Sequence, residues 1–230
     1  MKEYTLRMAA LAAIDEAENY LEEARLLCDH GRHARAASLG VLGREELGKG
    51  VLFVIAALDA VPGLRHQLQG KSWAKTQHAL KQLVGGLVGH AESIVDEYTD
   101  AVSYDARRAA DAVWWAEQFM KVSIDWAQGL LSDKKAAKRY HQEFLERARE
   151  SYERANLPQD ISSPPETPDE LKERGLYVDI KDDVLVTPGS VTGSQAQAEI
   201  DDLNCDLLAM TRLRGVVADD KLWKELRGRC

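Results

Sequence analysis

The sequence predicts an all-α bundle that carries a small β-hairpin and further C-terminal helices. Three observations lead there. Apolar residues recur at three- and four-residue steps through most of the first 155 positions, the period of amphipathic helices. Short breaks containing Gly or Pro separate these segments, as in a bundle with short connections. Apolar runs of strand length appear near residues 176–186, flanking a polar Lys181-Asp182-Asp183 turn.

The first helix carries Leu11, Ile14, Leu21, Ala24 and Cys28 on one face, and Gly31 stands where a left-handed residue commonly closes a helix. The second runs from about Arg32 to Asp59 and stops at Val61-Pro62-Gly63. A third, from about Lys71 to Asp100, aligns Leu80, Leu83, Leu87, Ala91, Ile94 and Tyr98. A fourth, from about Asp105 to Leu131, holds Trp114, Trp115, Phe119 and Trp126. Ser132 is placed to cap a fifth, highly charged helix reaching about Ala155.

Composition then changes. Four of the six prolines lie between Pro158 and Pro168, which marks a linker. Thr167-Pro168-Asp169-Glu170 reads as a helix start, with a capping Thr, Pro at the first position and Glu three residues after the cap; Gly175 ends that short helix. Leu176–Ile180 and Val184–Val186 form the expected hairpin, and helical pattern returns from about Ser194 to Arg214 and again near the C-terminus. The expected organisation is a helical bundle over residues 1–156. Residues 157–230 are expected to supply linker, short helix, hairpin and C-terminal helices packing on it.

The chain has 230 residues, 45% apolar and 30% charged, enough to build a real core. Its net charge of −8, from 30 Lys and Arg against 38 Asp and Glu, excludes a whole-surface electrostatic grip on nucleic acid and leaves room for a local basic groove. Cys28, Cys205 and Cys230 are odd in number and scattered, giving neither a disulfide framework nor a zinc spacing, so a reducing cytoplasm is expected. The apolar run Val51–Leu58 is far short of the ~20 residues of a membrane span. Asp15 and Glu16 follow the apolar patch Met8–Ile14 at once, so neither a secretory signal nor membrane insertion is expected.

Two constellations could carry chemistry. Projected at about 100° per residue, Leu39, Leu42, Phe53 and Ala57 of the second helix share a stripe with Glu46 at its middle, and Arg35 and Lys49 fall on the same side. Charges on a core-facing stripe must pair, so Glu46 is expected to be largely buried against Arg35 and Lys49 or Lys81. Either a structural ion network or a polar pocket fits that pattern. Glu45 and Lys49, four apart, read as a helix-surface pair.

The second constellation is the stretch from Ala60 to Ala91, which contains no acidic residue but holds Arg65, Lys71, Lys75, Lys81, His66, His78 and His90. It reads as a local positive patch suited to phosphate, or as a merely solvated basic face. His78 and Lys81 are helix neighbours off or at the edge of their apolar stripe, a proton-exchanging imidazole beside an anion-stabilising cation. A Glu-x-x-His pair, a phosphate loop, a dinucleotide fingerprint and His-Glu-x-x-His are all missing, so no metal and no cofactor is expected.

Gly31-Arg32-His33-Ala34-Arg35-Ala36-Ala37-Ser38, followed by Arg44-Glu45-Glu46-Leu47-Gly48-Lys49, resembles the opening motif of the AbiV family of bacterial abortive-infection proteins, within the HEPN superfamily of helical bundles. His78-x-x-Lys81 and Arg174-Gly175-Leu176-Tyr177-Val178-Asp179 resemble that family's other two blocks in the same order, so the resemblance covers about Tyr4 to Pro188. It implies an HEPN-like bundle and defence against phage by arresting growth of the infected cell. Many HEPN proteins are metal-independent ribonucleases that act as dimers through an Arg-x4-6-His motif. Here the only such spacing, Arg25 to His30, ends the first helix instead of lying on a later one.

The expectations that follow are a homodimer, RNA as a partner to be bound or cleaved, and a phage protein as trigger. A non-catalytic toxin or phage sensor that binds protein remains the alternative. The matching residues are His78 and Lys81 as the catalytic candidates, with Arg35, Glu46, Lys49, Tyr177 and Asp179 as binding candidates.

Overall fold

Helix α1 (Glu3–Asp29) and helix α2 (His33–Leu58) fold back on each other as an αα-hairpin, in a computed structural model that describes residues 1–68, 112–132, 179–181, 184–186 and 191–230. The turn between them is set by Gly31, whose φ of 70° is the left-handed conformation that closes a helix at least cost in glycine. Its N–H reaches Cys28 O at 2.9 Å and the Arg32 N–H reaches Leu27 O at 2.8 Å, the paired bonds of a Schellman close. α1 buries Leu6, Ala10, Ala13, Ile14, Ala17, Leu21 and Ala24, one face at helical spacing, and Leu11 and Cys28 lie at its half-buried rim.

α2 ends at Leu58, within a residue of the expected end near Asp59 and ahead of the Val61-Pro62-Gly63 stop. Asp59 adopts φ 60°, a left-handed conformation that Asp tolerates, and the Ala60 N–H bonds Ile55 O. Arg65, at the start of the short helix α3 (Leu64–Gln67), folds back to donate to Ala56 O at 2.6 Å and Ala57 O at 2.9 Å. This cation of the acid-free stretch thus serves the open carbonyls of α2.

Helix α4 (Ala112–Ser132) buries Val113, Trp115, Ala116, Phe119, Met120 and Ala127. Trp115 and Phe119, four apart, stack with ring centroids 5.1 Å apart. Two short strands, β1 (Asp179–Lys181) and β2 (Val184–Val186), pair antiparallel with Ile180 opposite Leu185.

Helix α5 (Gly193–Ala218) begins with a complete capping box, the Thr192 hydroxyl accepting from the Gln195 N–H and the Gln195 side chain accepting from the Thr192 N–H. It lies along both α1 and α2, burying Ile200, Leu203, Leu207, Met210 and Leu213. Helix α6 (Asp220–Arg229) starts at Asp219, whose carboxylate accepts the Lys221 and Leu222 N–H groups; those bonds hold its carboxyl below the ordinary carboxylate value. α6 buries Trp223 and Leu226, and Glu3 of α1 takes the Trp223 indole N–H at 2.6 Å and Arg227 at 2.7 Å. The expected third and fifth helices, the proline-rich linker and the short helix after Thr167 lie outside the described residues.

Candidate functional site

α2 is covered along most of its circumference, so each charge on it needs a partner. Two glycines set the closest approach. A Cβ at Gly40 would stand 2.9 Å from the Glu199 Cβ and 3.1 Å from its backbone, and one at Gly43 would stand 2.4 Å from a Leu203 methyl. α5 therefore runs against α2 at a distance only glycine permits, and its acids come within reach of the α2 cation.

That cation is Arg44. Its Nη1 lies 3.4 Å from Glu199 Oε2 and 3.4 Å from Asp202 Oδ2, and its Nε lies 3.3 Å from Asp206 Oδ2. Glu199 and Asp206 are buried. Burial pushes the Glu199 carboxyl above its ordinary value; Asp202 adds to the rise and Arg44 opposes it. One arginine thus gathers three α5 acids across the helix seam. Sequence reading missed this cluster, because its signal was a pair of glycines ahead of an arginine rather than any catalytic spacing.

The expected placement of Glu46 is corrected. The stripe through Leu39, Leu42 and Phe53 is the half-buried side of α2, and Glu46 on it is half-buried too. Its neighbour Glu45, read as a surface residue, is the buried one at 4% exposure. The projection failed because a helix packed on most sides has no single apolar stripe. Glu46 does pair with Lys49, one turn along. Arg35 stands in solvent instead of on a core face. Tyr20 of α1 is held above the ordinary phenol value by burial first, then by Glu16, Glu46, Glu23 and Glu45.

Of the other candidates, His78, Lys81 and Tyr177 lie outside the described residues, and Asp179 opens β1 opposite Val186. Arg25 and His30 do not converge: Arg25 donates to Asn204 Oδ1 at 2.7 Å, and His30 Nδ1 meets Leu26 O at 2.8 Å. Among the described residues no group of three or more His, Cys, Asp or Glu side chains is placed to hold a metal ion. No helix among them is long and apolar enough to cross a membrane.

A family model described as AbiV, of the HEPN type, matches residues 5–209. The match therefore extends past Pro188 and takes in the first two-thirds of α5, including Glu199, Asp202 and Asp206. No curated protein and no solved structure matches the chain.

Proposed function

The chain belongs to the AbiV family of the HEPN superfamily, which implies a role in abortive infection against phage, and from that premise we propose that it arrests growth of the infected cell by acting on RNA. The acid-free stretch from Ala60 to Ala91, in a chain of net charge −8, carries this reading. His78 exchanges the proton and Lys81 holds phosphate, with Lys49 and Arg35 as further cations. Tyr177 and Asp179 form part of the binding surface. The reading includes a homodimer, a phage protein as trigger and a cytoplasmic location, with residues 1–156 as the helical unit and 157–230 as its appended part.

A second reading, a non-catalytic toxin or phage sensor that binds protein, draws on one observation. Arg25 and His30, the only Arg-x4-6-His spacing, are each engaged elsewhere and present no joint site. Induced expression in a bacterial host separates the two. RNA action predicts growth arrest together with altered stability of cellular RNA, both lost in His78→Ala/Lys81→Ala. Arrest with intact RNA and full potency in that double variant favours the protein-binding reading.

A further inference from the structure

The turn between α1 and α2 gathers cations. From Ala24 to Gly43 the sequence holds Arg25, Arg32, Arg35, His30 and His33 against one acid, Asp29. Upstream, α1 carries Asp15, Glu16, Glu18, Glu22 and Glu23, so the change of sign along the helix is abrupt. His30, Arg32 and Arg35 are exposed, as is Asp29. Arg32 is the N-cap residue of α2, and Arg35 is three residues on, so the two side chains leave the first turn as neighbours.

What separates Arg32 and Arg35 from the other described arginines is their lack of work inside the molecule. Arg7, Arg44, Arg65, Arg214, Arg227 and Arg229 all hold carboxylates. Arg25 holds Asn204, and Arg212 covers the Trp115 ring. Among the described residues neither Arg32 nor Arg35 enters an ion pair. Their position also opposes the helix macrodipole, because a helix start favours acids and α2 has none in its first turn. Residues that break a local rule without a compensating contact mark places where something other than folding set the choice.

We propose that Arg32 and Arg35, with His30 beside them, form a phosphate-contacting surface for the backbone of single-stranded RNA. Guanidinium forks suit phosphodiester oxygens, and the charge complementarity picks a polyanion as occupant. This surface rests on the RNA reading above and extends it, from Arg35 already counted among its cations, to Arg32 and His30 at the turn into α2. α2 is 26 residues long, so its start lies roughly 39 Å from the end where the acid-free stretch begins. A strand that touches both ends must run the length of that helix.

The test is fluorescence anisotropy of a labelled single-stranded RNA titrated with the full chain at several salt concentrations. Arg32→Glu/Arg35→Glu is the variant, and Lys224→Glu, at an exposed position of α6, is the control. Two lost phosphate contacts should weaken binding at least tenfold and lower the slope of log K against log salt by about 1.4, near 0.7 per contact for single strands. The control should bind as wild type. Glutamates at these two positions suit a helix start, so the variant should melt no lower than wild type. Wild-type RNA binding that the double reversal leaves unchanged overturns this surface and leaves the RNA reading standing. Absence of RNA binding by the wild type overturns both. Binding to phosphatidylglycerol vesicles without binding to RNA assigns the patch to a lipid surface and overturns the proposal.

Discussion

Arg44 Nη1 lies 3.4 Å from Glu199 Oε2, and this contact joins the AbiV-like block of α2 to an acid 155 residues later in the chain. The block Arg44–Lys49 thus has a packing role beside any functional one. Its first residue fastens α5 to α2, and the two glycines before it let α5 come close enough.

Removing the cation leaves buried acids without it. Arg44→Ala should cost roughly 3–5 kcal/mol, the range for breaking a buried pair from one side. Glu46→Ala removes a half-buried pair one turn apart and should cost less than about 1 kcal/mol. Chemical denaturation of the two variants checks the order. Equal losses would show that Arg44 is no more critical than the neighbouring pair.

Glu199 gives the clamp a pH signature. Its folded-state carboxyl titrates above the ordinary 4.5, chiefly through burial. The protonated form is therefore favoured in the native state, and this group's contribution is fully present below the unfolded value and lost as pH rises through the folded one. Glu199→Gln mimics the protonated form. Its stability relative to wild type should rise as pH climbs from 4.5 and then level off. Melting both proteins from pH 4 to pH 8 reads this directly, and a constant difference across the range speaks against a raised carboxyl.

The glycines make an independent prediction. Gly40→Ala drives a methyl into the Glu199 backbone, whereas Gly43→Ala meets the movable end of Leu203. Both should destabilise, by about 1–3 kcal/mol, with Gly40→Ala the worse because backbone cannot swing aside. Gly215→Ala on α5 meets nothing within 4 Å and should stabilise by about 0.5–1 kcal/mol. Three melting curves settle the ranking.

Arg7 fixes the far end of α5. Its Nε and Nη2 donate to Val217 O at 3.0 and 2.7 Å, its Nη1 meets Asp220 at 2.8 Å, and its guanidinium sits 5.1 Å from the Trp223 ring centroid. Arg7→Ala leaves the Val217 carbonyl without its donor and should cost about 1–3 kcal/mol. Hydrogen exchange should show α6 losing protection first, while α2 stays protected. A uniform loss across the chain would argue that α6 is not held separately.

Much of the architecture was legible because helix starts and stops are local chemistry. Gly31 announces the α1–α2 turn in one residue, and the α5 and α6 segments carry their own periodicity. The end of α2 near Asp59 was legible from the Val61-Pro62-Gly63 stop, whereas the left-handed Asp59 and the returning Arg65 that close it were not. The choice between Glu45 and Glu46 also failed for a physical reason. α2 is buried on most sides, and a one-helix projection cannot say which neighbour approaches nearest. Only the position of α5 shows that the Gly40 and Gly43 side is the tight one and that Arg44 belongs to it. Lys49 was legible as a partner of Glu46 because that pairing lies within a single helix.

The central claim, growth arrest through RNA, is tested most directly by incubating the purified full chain with labelled single-stranded RNA. Wild type and His78→Ala/Lys81→Ala are compared at matched thermal stability, and both bound and shortened RNA are measured. Wild type is predicted to bind the RNA with a steep salt dependence, and the double variant to lose that binding, and any cleavage, while melting within about 0.5 kcal/mol of wild type. A wild-type protein that neither binds nor shortens RNA, or a double variant that acts as wild type does, contradicts the account.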